Sequence, residues 1–210
     1  MKGMLVIISG PSGSGKGTVV TRLRKARNFA LSISLTTRKP RPGERDGHDY
    51  FFTTQQDFFR QRDDDELLEH ALYVGNYYGT PRRYVEEQIS LGKALVLEIE
   101  ANGALQVKAK FPDAVMIFLI PPTRAELYNR LIHRNTEDLP TIEERMRRAA
   151  EEIKLVNRYD YVVVNDTVDR AVAQIKTIVE AESLKPRRSK VEIEEFMTCQ
   201  TEGPGWDCTR

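Results

Sequence analysis

Residues 4–18 read Met4-Leu-Val-Ile-Ile-Ser-Gly10-Pro-Ser-Gly-Ser-Gly-Lys16-Gly-Thr18, and this order decides the fold. The run Met4–Ser9 is apolar on successive residues, which predicts a strand covered on both faces. The glycines and Lys16 that follow satisfy the pattern of a phosphate-cradling loop, and the helix opening near Gly15 supplies the context that pattern needs. In such an arrangement backbone N–H groups converge on an anion at a helix N-terminus. Gly10, Gly13 and Gly15 permit backbone angles and a close approach that a Cβ blocks. Lys16 then brings positive charge to the β- and γ-phosphates as transfer proceeds. A glycine-rich turn that merely caps a helix is the bland alternative, and the order of strand, loop and helix argues against it.

The same alternation continues along the chain. Ala94–Glu100, Ala114–Ile120 and Tyr161–Asn165 are further runs rich in Val, Ile and Leu. Between them lie helical stretches over Gly15–Ala26, Pro81–Leu91, Ala101–Phe111, Thr123–Arg134, Thr141–Val156 and Val168–Leu184. Val168, Val172, Ile175 and Val179 recur at helical spacing, and Pro186 stops that last helix. Buried strands alternating with amphipathic helices predict an α/β domain, a parallel sheet between two helical layers. Two segments interrupt it. Residues 29–79 hold shorter β-like pieces (31–36, 50–53 and 70–78) around the turn Lys39-Pro-Arg-Pro-Gly43, and read as a small mixed insert. Arg134–Pro140 is polar and lies between two arginine-loaded helices, and reads as a mobile lid.

Composition narrows the class of partner. Lys and Arg total 32 against 31 Asp and Glu, a formal net charge of +1, so anion recognition has to be local rather than global. The two cysteines, Cys199 and Cys208, lie beyond every periodic segment. A disulfide framework or structural zinc site is not expected, and a reducing cytosol is the simpler inference. The apolar run at the N-terminus is too short for a signal peptide or a membrane span. From Lys185 onward a basic cluster gives way to an acidic segment and a Gly/Pro-containing end, read as disorder or a cloning scar rather than a functional module.

The insert carries a second set of anion-binding groups. In Ser34-Leu-Thr-Thr-Arg38-Lys-Pro-Arg41-Pro-Gly-Glu-Arg-Asp-Gly-His-Asp-Tyr50, prolines lower the entropy cost of holding Arg38 and Arg41. Two guanidinium forks with hydroxyls from Ser34 and Tyr50 suit a phosphate monoester. A solvated basic turn is the competing reading. Downstream come Glu69-His70 and Gly75-Asn-Tyr77-Tyr78-Gly-Thr80. An ionised carboxylate only accepts hydrogen bonds, so Glu69 suits the adjacent N1–H and 2-amino donors of guanine and rejects adenine. Thr80 is placed to donate to guanine O6. Glu98 and Glu100, at the C-terminal end of a buried strand, face the crevice where α/β ligands bind. Either one steers a metal or its waters, touches the acceptor, or simply meets water.

With these pieces together, the chain resembles the bacterial-type guanylate kinases of the P-loop nucleoside monophosphate kinase group, from Leu5 to about Leu184. The resemblance rests on Ile8-Ser-Gly-Pro-Ser-Gly13, Thr36-Thr-Arg-Lys-Pro-Arg-Pro-Gly-Glu44, Tyr50-Phe-Phe52, Glu69-His70, Gly75-Asn-Tyr-Tyr-Gly-Thr80 and Val164-Asn-Asp166. It implies a P-loop NTPase-like three-layer core (1–33 and 81–184) with a helical lid at about 123–156. A nucleoside-monophosphate-binding insert (34–80) and a tail (185–210) complete it. Gly10, Pro11, Ser12, Gly13, Ser14, Gly15, Lys16, Gly17, Thr18 and Asn165 would bind ATP. Ser34, Arg38, Arg41, Tyr50 and Tyr78 would hold the GMP phosphate, with Glu69 and Thr80 on the base and Glu98 and Glu100 lining the acceptor site. Lys16, Arg130, Arg134 and Arg145 would carry catalysis.

Three departures bear on this, the first from the general loop motif and the other two from the family pattern. Gly17 follows the lysine, so the hydroxyl for magnesium moves to Thr18, acting through its side chain or a water, and Mg2+ leans on phosphates and waters. Glu98, Glu100 and Asn102-Gly103 stand where the family usually has aspartates and a Gln-Gly. Asn135 replaces a lid glycine, a turn that asparagine tolerates. The implied reaction is ATP + GMP = ADP + GDP in a cytoplasmic monomer or simple homo-oligomer, with no nucleic-acid or membrane partner. The rivals are a monophosphate kinase with another acceptor and a catalytically dead peptide-binding unit.

Overall fold

The computed structural model describes residues 3–133 and 139–189. Its first strand, β1 (Met4–Ser9), is buried along its whole length. It lies in the middle of a five-stranded sheet ordered β2-β7-β1-β8-β9, with β2 at Phe29–Leu31, β7 at Ala94–Glu98, β8 at Val115–Ile120 and β9 at Tyr161–Val164. Every pairing in this sheet is parallel. Strand side chains alternate between faces, so Met4, Val6 and Ile8 join one core and Leu5 and Ile7 the other. The first face is covered by α1 (Lys16–Arg24) and α7 (Val168–Ser183), through Val19, Leu23, Val172 and Ile175. The second is covered by α3 (Arg82–Ser90) and α4 (Ala101–Lys110), through Val85, Ala104 and Val107. Each valine, leucine or isoleucine side chain here taken fully out of water contributes about 1.5–3 kcal/mol. The α/β/α sandwich follows directly from the unbroken apolar strands.

Parallel register brings the C-terminal strand ends to one edge: Ile8 pairs with Glu98 and Ser9 with Phe118. The loop at Gly10–Gly15 leaves from this edge. Two further helices, α5 (Arg124–Ile132) and α6 (Leu139–Ile153), stand above it and share a small core of Leu127, Leu131, Ile142 and Ala149. Arg134 and most of the Arg134–Pro140 lid expected from the sequence lie outside the described residues.

The insert forms a second sheet ordered β4-β3-β6-β5, from β3 (Leu35–Thr36), β4 (Phe51–Phe52), β5 (Leu67–Tyr73) and β6 (Asn76–Pro81). Its core is Leu35, Phe58 and Leu67. Three features differ from the sequence-based expectation. The piece read as 31–36 is split between sheets: Leu31 ends β2 in the central sheet and Leu35 begins β3. The piece read as 70–78 is two arms of an antiparallel hairpin, turned at Val74 and Gly75, whose φ values are 45° and 73°. A helix, α2 (Gln55–Asp63), follows Thr54, whose hydroxyl accepts from the Asp57 amide as an N-cap. The end of the chain also differs from the expected tail at Lys185. Arg188 is buried and pairs with Glu182, and Lys185 pairs with the same carboxylate at 2.6 Å. Among the described residues, no helix is long and apolar enough to cross a membrane.

Candidate active site at the C-terminal edge of the sheet

The loop geometry is set by glycine at three points. Gly10, Gly13 and Gly15 have φ of 144°, 89° and 89°, in the left-handed region that side chains disfavour. Space is equally restrictive: a Cβ on Gly10 would lie 2.1 Å from Leu119 O, and one on Gly15 would lie 2.4 Å from Asn165 Nδ2. The loop is therefore wedged between β8, α5 and the residue after β9. Lys16 opens α1, and its ammonium folds back to donate to the carbonyls of Gly10 and, at 3.1 Å, Pro11. This curl holds a mobile cation over the cradle, where a phosphate would displace the carbonyls.

Groups on neighbouring elements close around the loop. Arg145 donates to Ser12 Oγ at 2.8 Å. Arg130 is held by Glu126 at 2.7 Å and reaches Asn165 O at 3.0 Å and Ser14 O at 3.5 Å. Asn165, expected near an adenine, is buried and donates through Nδ2 to Ser14 O at 2.8 Å; its side chain braces the loop. Glu98 sits close to the loop's end, with Oε1 3.8 Å from where a Cβ on Gly17 would stand. Crowding by protein raises its carboxyl pKa although part of it meets solvent, and Lys16 pulls the other way. Glu100 is exposed as the N-cap of α4 without a capping hydrogen bond. Thr18 is exposed on α1 and lines a hollow with Thr21, Arg22 and Val168.

Two residues here escaped sequence reasoning. Among the described residues, Glu152, in the last turn of α6, buries a side-chain oxygen that has no hydrogen-bond partner, and the buried Tyr159 hydroxyl faces the Ser9 hydroxyl. Burial raises the Glu152 carboxyl, opposed by Lys16. In sequence, Glu152 is one acid in an arginine-rich amphipathic helix, and no spacing signal marks it.

In the insert, Arg38 lies 5.2 Å from the centre of the Tyr50 ring, whose edge meets Tyr78 at 6.1 Å. The Arg38 guanidinium pairs with Glu44 at 2.8 Å. Hydrogen bonding to Glu44 raises the Arg38 pKa further, and Arg38 in turn lowers that of Glu44. Arg41 is exposed, and its amide donates to Glu44 Oε2 at 2.7 Å. Ser34 is half-buried, and its carbonyl accepts from Phe51. Ser34, Arg38, Arg41, Tyr50 and Tyr78 thus come from the loop before β3, the β3–β4 connection and β6. Among these groups, Glu44 is the anion that Arg38 and the Arg41 amide contact.

Glu69, on β5, is 5% exposed, and Thr80, on β6, is fully buried. Thr80 Oγ1 donates to Glu69 Oε1 at 2.7 Å, so the hydroxyl assigned to guanine O6 orients the carboxylate. Burial raises the Glu69 pKa and the Thr80 hydrogen bond opposes it.

Comparison with known proteins gives the family of the whole chain. The family model described as guanylate kinase matches residues 2–182. A guanylate kinase of Latilactobacillus sakei is 50% identical over 189 residues, covering 89% of this chain and 93% of that protein. One from Halalkalibacterium halodurans is 53% identical over 188 residues, covering 89% and 92%. The crystal structure of guanylate kinase from Anaplasma phagocytophilum superposes with a TM-score of 0.72 at 33% identity, covering 93% of each chain.

Proposed function

The chain belongs to the guanylate kinase family, phosphotransferases that make GDP from GMP and ATP, and we propose how its own residues divide that reaction. Glu69, steadied by Thr80, accepts from guanine N1–H and the 2-amino group. This buried acceptor is the observation that carries the choice of GMP, because adenine offers no N1–H to it. Arg38, Arg41, Ser34, Tyr50 and Tyr78 take the GMP phosphate once Arg38 exchanges Glu44 for it. The loop Gly10–Thr18 receives the ATP phosphates.

An oxygen of the GMP phosphate attacks the γ-phosphorus in line, the bond from that phosphorus to the β–γ bridging oxygen breaks, and ADP leaves. The attacking oxygen is already anionic, so no general base is required, and His48, His70 and His133 have no catalytic part. What the protein supplies is position and charge: Lys16, loop N–H groups, Arg130 and Arg145, joined by Arg134, surround the charge that spreads in the transition state. Closure of insert and lid excludes water that would hydrolyse ATP.

Among the described residues, no three His, Cys, Asp or Glu side chains gather as metal ligands. A Mg2+ would be carried chiefly on phosphates and waters, with Glu98 beside Gly17, Thr18 and Glu100 as the side chains that would reach its shell. Bound there, the ion neutralises charge on the β- and γ-phosphates. We place this chemistry in the cytoplasm, where its nucleotide substrates are.

A coupled assay with ATP and GMP, AMP, CMP or UMP in turn tests the reading. GMP should exceed every other acceptor by at least about a hundredfold in kcat/KM. Comparable use of AMP overturns the acceptor assignment, and turnover of none points to a binding unit.

A further inference from the structure

Gly103 is the third residue of α4, is buried, and is absent from the glycines with positive φ. Its backbone conformation therefore does not call for glycine, and in a helix interior glycine costs roughly 0.5–1 kcal/mol against alanine. The reason for glycine lies in what faces it. A Cβ at this position would stand 3.2 Å from Glu69 Oε2, 3.5 Å from Ile99 Cδ1 and 3.7 Å from Glu69 Cδ. The first of these is tighter than almost all real Cβ contacts, so the carboxylate would have to give by a few tenths of an ångström.

The contact is built by more than one residue. Gly103, Gln106 and Lys110 are spaced i, i+3, i+7 and share one face of α4. Along that face, Gln106 Oε1 accepts from the His70 amide at 3.4 Å and Lys110 donates to Leu67 O at 2.8 Å. The helix thus fixes β5 on both sides of Glu69 and brings the carboxylate onto the bare α-carbon. Its electrical setting is favourable too. The amides of Ala101, Asn102 and Gly103 have no intrahelical acceptor, Glu100 makes no capping bond, and the first turn holds no acidic side chain. The positive end of α4 therefore opposes the tendency of burial to protonate Glu69.

We propose that Gly103 is a specificity-determining positioning residue. Its missing side chain lets the Glu69 carboxylate rest against the first turn of α4, with Oε1 steadied by Thr80 and both oxygens presented to the guanine edge. The proposal rests on Glu69 as the reader of guanine, and the test separates the two.

The test is a double-mutant cycle of Gly103→Ala and Glu69→Gln on the full chain, read by KM for GMP, KM for ATP and Tm. Gly103→Ala should raise the GMP KM about three- to thirtyfold, leave the ATP KM within about twofold, and keep Tm equal or higher, because alanine is the better helix former. Acting through the carboxylate, it should add little once Glu69 is already Gln. An unchanged GMP KM, a lowered Tm or lost fold, equal losses for both nucleotides, or effects that simply multiply would each overturn the proposal. If Glu69→Gln itself spares GMP, the reading of Glu69 fails. If Glu69→Gln weakens GMP and Gly103→Ala does not, only the role of Gly103 fails.

Discussion

Thr80 Oγ1 donates a 2.7 Å hydrogen bond to Glu69 Oε1, and both side chains are buried. This bond ties the two arms of the β5–β6 hairpin at the point where the base-reading carboxylate projects. It spends the threonine proton on the protein, so Thr80 acts on guanine through Glu69. Thr80→Val keeps the shape and leaves Oε1 unpaired. A lost hydrogen bond to a charged group costs roughly 1.5–3 kcal/mol, so GMP efficiency should fall by about tenfold or more. The ATP KM should stay near wild type in steady-state kinetics.

Burial lifts the Glu69 carboxyl above its ordinary value, which gives GMP binding a pH dependence of known sign. The ionised form accepts both guanine donors, and the protonated form cannot. The GMP KM should therefore rise as pH falls through the raised Glu69 pKa, beginning above the range of an ordinary glutamate. Glu69→Gln should flatten that limb. A wild-type profile parallel to that of the variant would remove the carboxylate from the titration.

Lys16 donates to the loop carbonyls of Gly10 and Pro11, and its charge acts where negative charge develops in the transition state, so its loss should fall on the reaction rather than on folding. Lys16→Ala should lower kcat by a few kcal/mol of barrier, on the order of a hundredfold or more, with unchanged circular dichroism. Activity within about tenfold of wild type would contradict its role.

The Arg188–Glu182 pair turns the expected inert tail into a stabilising contact. Burial would raise the Glu182 carboxyl, but hydrogen bonds from Lys185, Tyr161 and Arg188 outweigh it and hold the pKa at about 2. A carboxyl held below its unfolded-state value in this way contributes stability to the fold. That contribution is complete above the unfolded-state value of roughly 4.5 and is lost as pH falls toward about 2. Glu182→Gln should thus lower Tm by several degrees at pH 7 and progressively less below pH 4.5. Removing Arg187–Arg210 should likewise lower Tm at neutral pH, because Arg188 goes with it.

How much was legible depended on the range of the signal. The loop at Gly10–Lys16 and strand β1 are local patterns, and both bounds of β1, Met4 and Ser9, agree with the run read from sequence. Glu69 was singled out because a carboxylate suits the donors of guanine, but alone it reads as an exposed strand charge, and its burial comes from tertiary packing. The partition of Leu31 and Leu35 into two sheets was not legible, because only tertiary pairing with β7 and β6 separates them. The helix at Gln55–Asp63 was missed despite its Thr54–Asp57 capping signal, as was the hairpin turn at Val74-Gly75. Arg188 looked like part of a solvated basic cluster; its partner Glu182 lies on the preceding helix, and the carbonyl of Asp113 closes the pair. Glu152 carries no local mark, and Gly103 only its place in a dipeptide that the family pattern shares; what singles them out is the atom each one faces.

The most direct measurement of the central claim is steady-state kinetics of Glu69→Gln with GMP and ATP varied separately. The amide keeps one acceptor and replaces the other with a donor, so one guanine N–H faces an N–H2 or loses its partner. A buried polar group left unmatched costs roughly 1–3 kcal/mol, and more where the lost partner was charged. The account predicts a loss in GMP efficiency of about ten- to several-hundredfold, with the ATP KM changed far less. Equal losses for both nucleotides, or no loss for GMP, would contradict it.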